Sequence, residues 1–326
     1  MAEAILVTGG AGYIGAHACK ALARAGYRPV VFDNLSRGHR RAVRWGPLVE
    51  GELADRRRLR AAIEQYRVAA VMHFAGYAYV GESVSDPALY YRNNLAGSLC
   101  LFEAMRESGI ERIVFSSTCA TYGLPDSVPI KETAAQLPIS PYGETKLAIE
   151  RALHWYGEAY GIRSVSLRYF NAAGADPEGE IGECHAPETH LVPLALQAAL
   201  GRRPALDVYG TDYPTPDGTA IRDYIHVVDL AAAHLRALEH LLEGHGSTAI
   251  NLGTGRGHSV REVIAAVESA VGRRVPRREV ARRPGDPAML VADPGFAADR
   301  LGWRPLTSDL ETIIESALAW HASQPK

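Results

Sequence analysis

A tyrosine and a lysine stand four residues apart in Tyr142-Gly-Glu-Thr-Lys146. On a helix that spacing puts them one turn apart on the same face. A phenol has a pKa of about 10, so at neutral pH it is a poor base. An ammonium beside it favours the phenolate and draws that pKa toward the working range, which makes the pair a candidate general base. Lysine is scarce in this chain: of 35 Lys+Arg, the lysines are Lys20, Lys131, Lys146 and Lys326 alone. A lysine at 146 therefore marks a place where a compact ammonium on a flexible stem is wanted. With 15 tyrosines, chance gives about 0.2 such pairs, so the context must decide.

That context is an alternation of short apolar runs and amphipathic stretches. Strands are expected at Ala4 to Thr8, Arg28 to Phe32, Val68 to Phe74, Arg112 to Ser117 and Ser164 to Tyr169. Helices are expected near 13–25, 54–66, 88–108 and 143–160, with Gly26, Gly109 and Gly161 placed as left-handed residues just past three of them. Continuous apolar strands separated by helices predict a doubly wound parallel α/β sheet, Rossmann-like and covered on both faces. After about 171 the texture changes. Asn171 to Glu188 reads as a long loop, and 209–220 and 281–295 are irregular. The expected division is a dinucleotide-binding domain at 1–171, to which 225–248 returns, and a smaller α/β substrate domain at 172–326.

Thr8-Gly-Gly-Ala-Gly-Tyr-Ile-Gly15 follows the first strand and opens the first helix. Gly9, Gly12 and Gly15 let the backbone turn sharply and approach a pyrophosphate, whose charge the helix start then holds. Asp33 ends the second strand, where an acid suits the ribose diol of NAD and repels the 2′-phosphate of NADP. Arg37, Arg40 and Arg41 lie close by in sequence and could accept that phosphate instead.

The bulk properties exclude other classes. A formal net charge of −2 argues against a nucleic-acid partner. No apolar run reaches the ~18 residues of a membrane helix, and the N-terminus has no basic region of a secretory signal. Cysteines at 19, 100, 119 and 184 form no C-x-x-C, which reads as reduced cytoplasmic thiols. Cys184-His185 with His190 shows no regular ligand spacing, so no metal is expected.

The segments Thr8 to Gly15, Asp33-Asn34, His73-Phe-Ala-Gly76, Val80-Gly-Glu-Ser83, Asn93-Asn94, Phe115 to Gly123, Ser140 to Lys146, Leu167 to Gly174, Arg222-Asp-Tyr-Ile-His226, Asn251-Leu-Gly253 and Arg283-Pro-Gly-Asp286 run in order over nearly the whole chain. In them the chain resembles the extended short-chain dehydrogenase/reductase family, and within it the UDP-hexose 4-epimerases. The resemblance implies an NAD site lined by Gly9, Gly12, Tyr13, Ile14, Gly15, Asp33, Asn34, Glu52, Leu53, Phe74, Ala75, Gly76, Asn93, Lys146 and Phe170. It implies Tyr142 as base, Thr118 as its hydroxyl partner and Lys146 beside the nicotinamide ribose. A UDP-sugar would meet Thr118 and Tyr142, Asn171 at the diphosphate, Arg222 and Arg283 around the phosphates, Tyr209 near the uracil and Asp286 at a ribose hydroxyl. His190 and Leu191 would lie in the substrate loop, and Leu290 where sugar bulk is gauged. Departures from the family pattern are Thr118 for serine, Glu52 for aspartate, Ala78 for lysine and His190 for asparagine. Leu290 matches neither the large nor the very small form.

The implied activity interconverts UDP-glucose and UDP-galactose through a transient 4-keto sugar. NAD⁺ adds positive charge, so Tyr142 is expected to be most acidic in the oxidised form. A dehydratase would need acids after the threonine; here Cys119-Ala120 follow, and Cys119 reads as a buried small residue. Alternatives are 4-epimerisation of UDP-N-acetylhexosamines or another UDP-sugar, and a non-catalytic NAD-binding regulator. Tyr77 is expected at the sugar, and Tyr90 and Tyr91 in helix packing. A homodimer through the 88–108 and 143–160 helices is implied by the resemblance alone.

Overall fold

A computed structural model describes residues 2–283 and 285–324; Pro284 of the Arg283–Asp286 segment lies outside them. At its centre is a seven-stranded sheet of β1 (Ala4–Thr8), β2 (Arg28–Asp33), β3 (Leu48–Glu50), β4 (Val68–His73), β5 (Arg112–Thr118), β6 (Arg163–Tyr169) and β7 (Thr248–Leu252). In space the order is β7-β6-β5-β4-β1-β2-β3, and every neighbouring pair is parallel. The order reverses between β1 and β4, which opens a crevice at the carboxyl ends of the strands.

Alternate residues of each strand serve opposite layers. Ile5, Val7, Met72 and Val114 pack with Leu22 of the Tyr13–Arg24 helix and Leu230, Ala237 and Leu238 of the Val227–Leu242 helix. Leu6, Phe32, Val71 and Phe115 pack on the other side against Leu59, Phe102, Met105 and Leu153. Two covered faces explain the continuous apolar runs. The fold is a doubly wound, Rossmann-like α/β sheet with a smaller C-terminal α/β part. That part is cored by the helices Leu191–Ala199, Val260–Val271 and Leu310–Ser323.

Several elements differ from the sequence expectation. The chain does not stop at 248 after its return but runs on into β7, hydrogen-bonded to β6. Asn251 hides this strand in the sequence; buried, it accepts from the Tyr122 hydroxyl (2.7 Å) and donates to the Ile130 carbonyl (2.9 Å). β3 is three residues long and half exposed, too short for a clear pattern. The loop expected from Asn171 begins with a strand, Asn171–Ala173, paired with Tyr224–His226. The helix expected over 88–108 is a helical turn at Pro87–Tyr90, a π-helical turn at Tyr91–Ala96 and a helix at Gly97–Glu107. The wider turn directs Asn94 inward, where it accepts from the Tyr77 amide (2.8 Å) and donates to the Tyr77 carbonyl (2.9 Å). Such turns cluster at functional sites.

The helix that carries Tyr142 and Lys146 spans Pro141–Tyr160. Ser140 caps it by accepting from the Gly143 amide (3.2 Å), and Pro141 occupies the first turn, where its missing N–H costs nothing. Gly161 ends it at φ 74°, and Gly26 and Gly109 are also left-handed.

Behind this helix Arg168 of β6 forks onto Glu150, Nε to Oε1 at 3.0 Å and Nη2 to Oε2 at 2.6 Å. Their side chains are 7% and 8% exposed. Removing one partner strands a buried charge, which costs about 3–5 kcal/mol. Arg168→Met is therefore expected to lower the unfolding free energy by that amount in a urea titration; a loss under about 1 kcal/mol would show the pair to be dispensable.

Candidate active site

A cavity of about 1070 Å³ runs along the crevice, and every site residue expected from the sequence borders it. Its size sits at the top of the range of about 300–1,000 Å³ typical of one small-molecule site.

At one end lies the glycine turn. Gly9 sits at φ +73°, and a Cβ there would lie 2.5 Å from the Ala75 amide nitrogen, so only glycine allows the β1 and β4 ends to close up. Gly12 caps the first helix without a side chain, which leaves amides of the first turn, over Tyr13, Ile14 and Gly15, to meet an anion. Asp33 is buried; its Oδ2 accepts from Ala11 N (3.0 Å) and its Oδ1 from Leu35 N (2.8 Å). Each oxygen keeps a lone pair for a ribose hydroxyl. The nearby arginines are engaged elsewhere. Arg37 bonds Glu82 (2.6 Å) and stacks on Tyr77 and Tyr79, Arg40 pairs with Glu50, and Arg41 meets Cys184 Sγ. The set fits a dinucleotide with a free ribose diol. Asn34 and Glu52 bond each other at the rim (2.9 Å), with Leu53 beside them. Phe74, Ala75 and Gly76 follow β4, Asn93 comes from the π turn, and Phe170 follows β6.

The reacting groups meet midway. Lys146 Nζ donates to the Ser116 carbonyl of β5 (2.7 Å) and lies 5.9 Å from the centroid of the Tyr142 ring. Thr118 ends β5 beside the phenol. The expected lowering of the tyrosine by the lysine is not what the protein alone provides. Burial pushes Tyr142 well above its ordinary value, the phenol of Tyr169 adds to the rise, and the Thr118 hydroxyl only partly opposes it. The ammonium is spent on the carbonyl, and burial lowers it in turn to about 8. Cys119 is buried, and burial pushes its thiol up to about 12, so it is inert as a nucleophile at neutral pH.

The far end is built by the C-terminal part. Arg222 pairs with Asp286 (2.5 Å), and Arg283 stacks over the Tyr209 ring, 4.0 Å from its centroid. Leu290 pairs in register with Arg222 in a short parallel strand. Asn171 leads from β6, while His190 caps the helix that Leu191 begins.

Sequence reasoning missed several neighbours. Ser116 bonds the Tyr169 hydroxyl, and both line the cavity; their places at the ends of β5 and β6 were the available signal. Tyr77 was not missed: expected at the sugar, it borders the cavity beside Arg37. Tyr90 is buried, edge-on to Tyr142 at 6.4 Å, whereas Tyr91, its neighbour in the chain, is 44% exposed and not packed as expected. Glu183, His185, Glu188 and His190 come together although their spacing fits no regular ligand motif.

The model of the NAD dependent epimerase/dehydratase family matches residues 5–253. This chain belongs to that family. It is similar to a UDP-glucose 4-epimerase of Rhizobium leguminosarum bv. trifolii, 57% identical over 320 residues covering 98% of each chain. Among solved structures it resembles a UDP-glucose 4-epimerase from Brucella ovis in complex with NAD, at 57% identity and TM-score 0.95, covering 97% of this chain and 98% of that one. It also resembles one from Stenotrophomonas maltophila with bound NAD and formylated UDP-arabinopyranose, at 40% identity and TM-score 0.95 over 98% of each. The family's dependence on NAD agrees with the glycine turn and Asp33.

Lys146 titrates at about 8 in the fold, against about 10.4 in an unfolded chain. Between these values the unfolded chain holds a proton that the folded chain has released. The lysine's contribution to stability is therefore fully present above about pH 10.4 and lost as pH falls through about 8. In the nucleotide-free chain, Lys146→Met is expected to gain about 2 kcal/mol on the wild type between about pH 9.5 and pH 7.5. Urea unfolding at the two values checks this, and an unchanged difference refutes it.

Proposed function

We propose that the chain is an NAD-dependent 4-epimerase that interconverts UDP-glucose and UDP-galactose through a transient 4-keto sugar. The observation that carries this reading is the neighbourhood of Tyr142. A tyrosine, a threonine hydroxyl and a buried lysine face one cavity between a dinucleotide turn and two arginines, and the residues after Thr118 are a thiol and a methyl group. That set can move a proton on and off one oxygen, but it has no second acid with which to expel water.

The cofactor, when bound, supplies acceptance and return of hydride at the sugar C4. Asp33 holds its ribose diol and the first-turn amides its pyrophosphate. Lys146, fixed by Ser116, reaches the ribose near the reacting ring. Thr118 hydrogen-bonds the sugar 4-oxygen and steers it to Tyr142. The Tyr142 oxygen takes the 4-hydroxyl proton and gives it back after the sugar has turned. Because burial raises this phenol further above neutrality, the phenolate depends on positive charge gathered beside it. Arg222 and Arg283 neutralise the diphosphate, and the Tyr209 ring, already stacked by Arg283, supports the uracil. Asn171, His190 and Leu191 close the phosphate side, Asp286 receives the uridine ribose, and Leu290 bounds the sugar.

Two broader features belong to the same reading. Trp155 stands 67% exposed on the Pro141–Tyr160 helix, an apolar group suited to contact a second copy of the chain in a homodimer. Among the described residues no helix is long and apolar enough to cross a membrane. All four cysteines are free, which supports a reducing, cytoplasmic setting.

Purified protein incubated with UDP-galactose and no added NAD is expected to yield UDP-glucose; a parallel incubation with UDP-N-acetylgalactosamine reads the sugar range. Absence of a 4-epimer from both defeats the proposal. Tyr142→Phe is expected to lower turnover by about 10²–10⁴-fold while retaining NAD. Unchanged turnover in that variant would remove Tyr142 from the chemistry.

A further inference from the structure

A second group of chemistry-bearing side chains lies at the edge of the cavity. Glu183, His185, Glu188 and His190 each offer one ligand atom, and these four atoms lie within 4.8 Å of one another. The two carboxylate side chains are only 4% and 7% exposed. Two buried like charges this close require a compensating cation. Among the described residues no lysine or arginine comes within ion-pair distance of either; the side chains beside them are the two imidazoles, and Glu188 also accepts from the Thr189 and His190 amides (2.8 and 2.9 Å).

The spacing is that of a small coordination shell. Nitrogen and oxygen ligands bind zinc at about 2.0–2.2 Å, so neighbouring ligand atoms of a tetrahedron stand roughly 3.3–3.6 Å apart. Nδ1 of His185 is 3.1 Å from Glu183 and 3.8 Å from Glu188, and Nδ1 of His190 is 3.4 Å from Glu188. The fourth separation, 2.5 Å from His190 to Glu183, is a hydrogen bond that a cation would replace. A separate observation points to a ligand: Nδ1 of His185 is shut off from solvent and makes no hydrogen bond, a costly state for a polar atom. It is aimed into the cluster at hydrogen-bond distance from Glu183, without hydrogen-bond geometry.

We propose that Glu183, His185, Glu188 and His190 bind one divalent cation of the zinc class. Two imidazoles and two carboxylates suit a borderline first-row ion better than calcium or magnesium, which take oxygen throughout. Four protein ligands close the shell, so the ion is structural and generates no nucleophile. Its place explains its use. The Tyr13 and Tyr79 rings stand edge-on to His185 at 6.2 and 5.9 Å, Trp320 donates to the Glu183 carbonyl (2.9 Å), and His39 bonds the Cys184 carbonyl (2.7 Å). The cation would fix the shape of the 183–190 loop, which rests through His185 on Tyr13 of the glycine turn, and with it the cavity wall that His190 forms. The proposal is independent of the reaction assigned to the cavity.

The test uses the NAD-loaded protein dialysed against a chelator and then titrated with zinc sulfate alone. One zinc per chain is expected by elemental analysis after desalting, with a rise of several degrees in the melting temperature. Glu183→Gln and His185→Gln are expected to weaken zinc binding on the order of 100-fold or more, with retained NAD absorbance and circular dichroism showing that each variant is folded. X-ray absorption at the zinc edge of the wild type, which needs no variant, is expected to show a nitrogen/oxygen shell with imidazole scattering and no sulfur. Absence of zinc at micromolar free metal, equal binding by folded variants, or a sulfur shell would overturn the proposal.

Discussion

The buried ammonium of Lys146 and the Ser116 carbonyl that receives it, 2.7 Å away, set the height of one helix over one strand. Burying an ammonium costs several kcal/mol unless polar contacts replace its water. Here the carbonyl does so, helped by the Phe115 ring 4.9 Å from Nζ. The contact is satisfied only when the Pro141–Tyr160 helix sits in one register on β5, and that register brings Tyr142 to Thr118. Arg168 and Glu150 reinforce it one turn further along, where Glu150 also takes the Ser117 hydroxyl. The catalytic geometry thus follows from the need to satisfy two buried charges, with the Ser140 cap setting where the helix starts.

The same economy governs the cofactor end. His73 closes β4 with its ring between the Thr8 hydroxyl (2.6 Å) and the Ser98 hydroxyl (2.8 Å). Burial lowers its pKa to about 3, and the charge of Lys146 acts in the same direction. A neutral imidazole, one nitrogen donating and the other accepting, can bridge the two hydroxyls. The bridge ties the end of β1 to the helix behind β4, and the amides of Phe74 and Ala75 then both find the Thr8 carbonyl. Asn94 does the corresponding work for the Tyr77 wall. These particular groups are paired, so this wall of the crevice is held in place without leaving their buried donors unsatisfied.

How much of this the sequence disclosed follows from which signals are local. Strands covered on both faces and the glycine turn are written in adjacent residues, so β1, β2, β4, β5 and β6 were legible. β7 was not, because Asn251 satisfies itself through Tyr122 and Ile130, which are distant in the chain. The break in the 88–108 helix rests on Asn94 reaching back to Tyr77, again a tertiary choice. Every residue placed in the site by resemblance borders the cavity, yet the electrostatics were not legible. The Tyr142–Lys146 spacing gave the pair without its environment, and burial reverses the naive direction of the phenol's shift. The loop cluster of Glu183, His185, Glu188 and His190 escaped because a loop can gather ligands at any spacing once its backbone is pinned.

The two ends of the cavity differ in construction, and the difference suits the proposed reaction. Tyr142 stands on a helix locked by buried charges and cannot change the face it presents. If one base is to serve both faces of a carbon, the sugar must turn while the rest of the ligand stays anchored. The anchors available are the Arg222–Asp286 and Arg283–Tyr209 pairs, which lie on short strands and loops of the C-terminal part. Both arginines are already held by neighbours, so a diphosphate gains their charge with little loss of side-chain freedom. Binding energy placed there does not restrict the sugar ring. The volume around Tyr142 can then accommodate rotation, and specificity among sugars falls to residues such as Leu290 that bound that volume without touching the reacting oxygen.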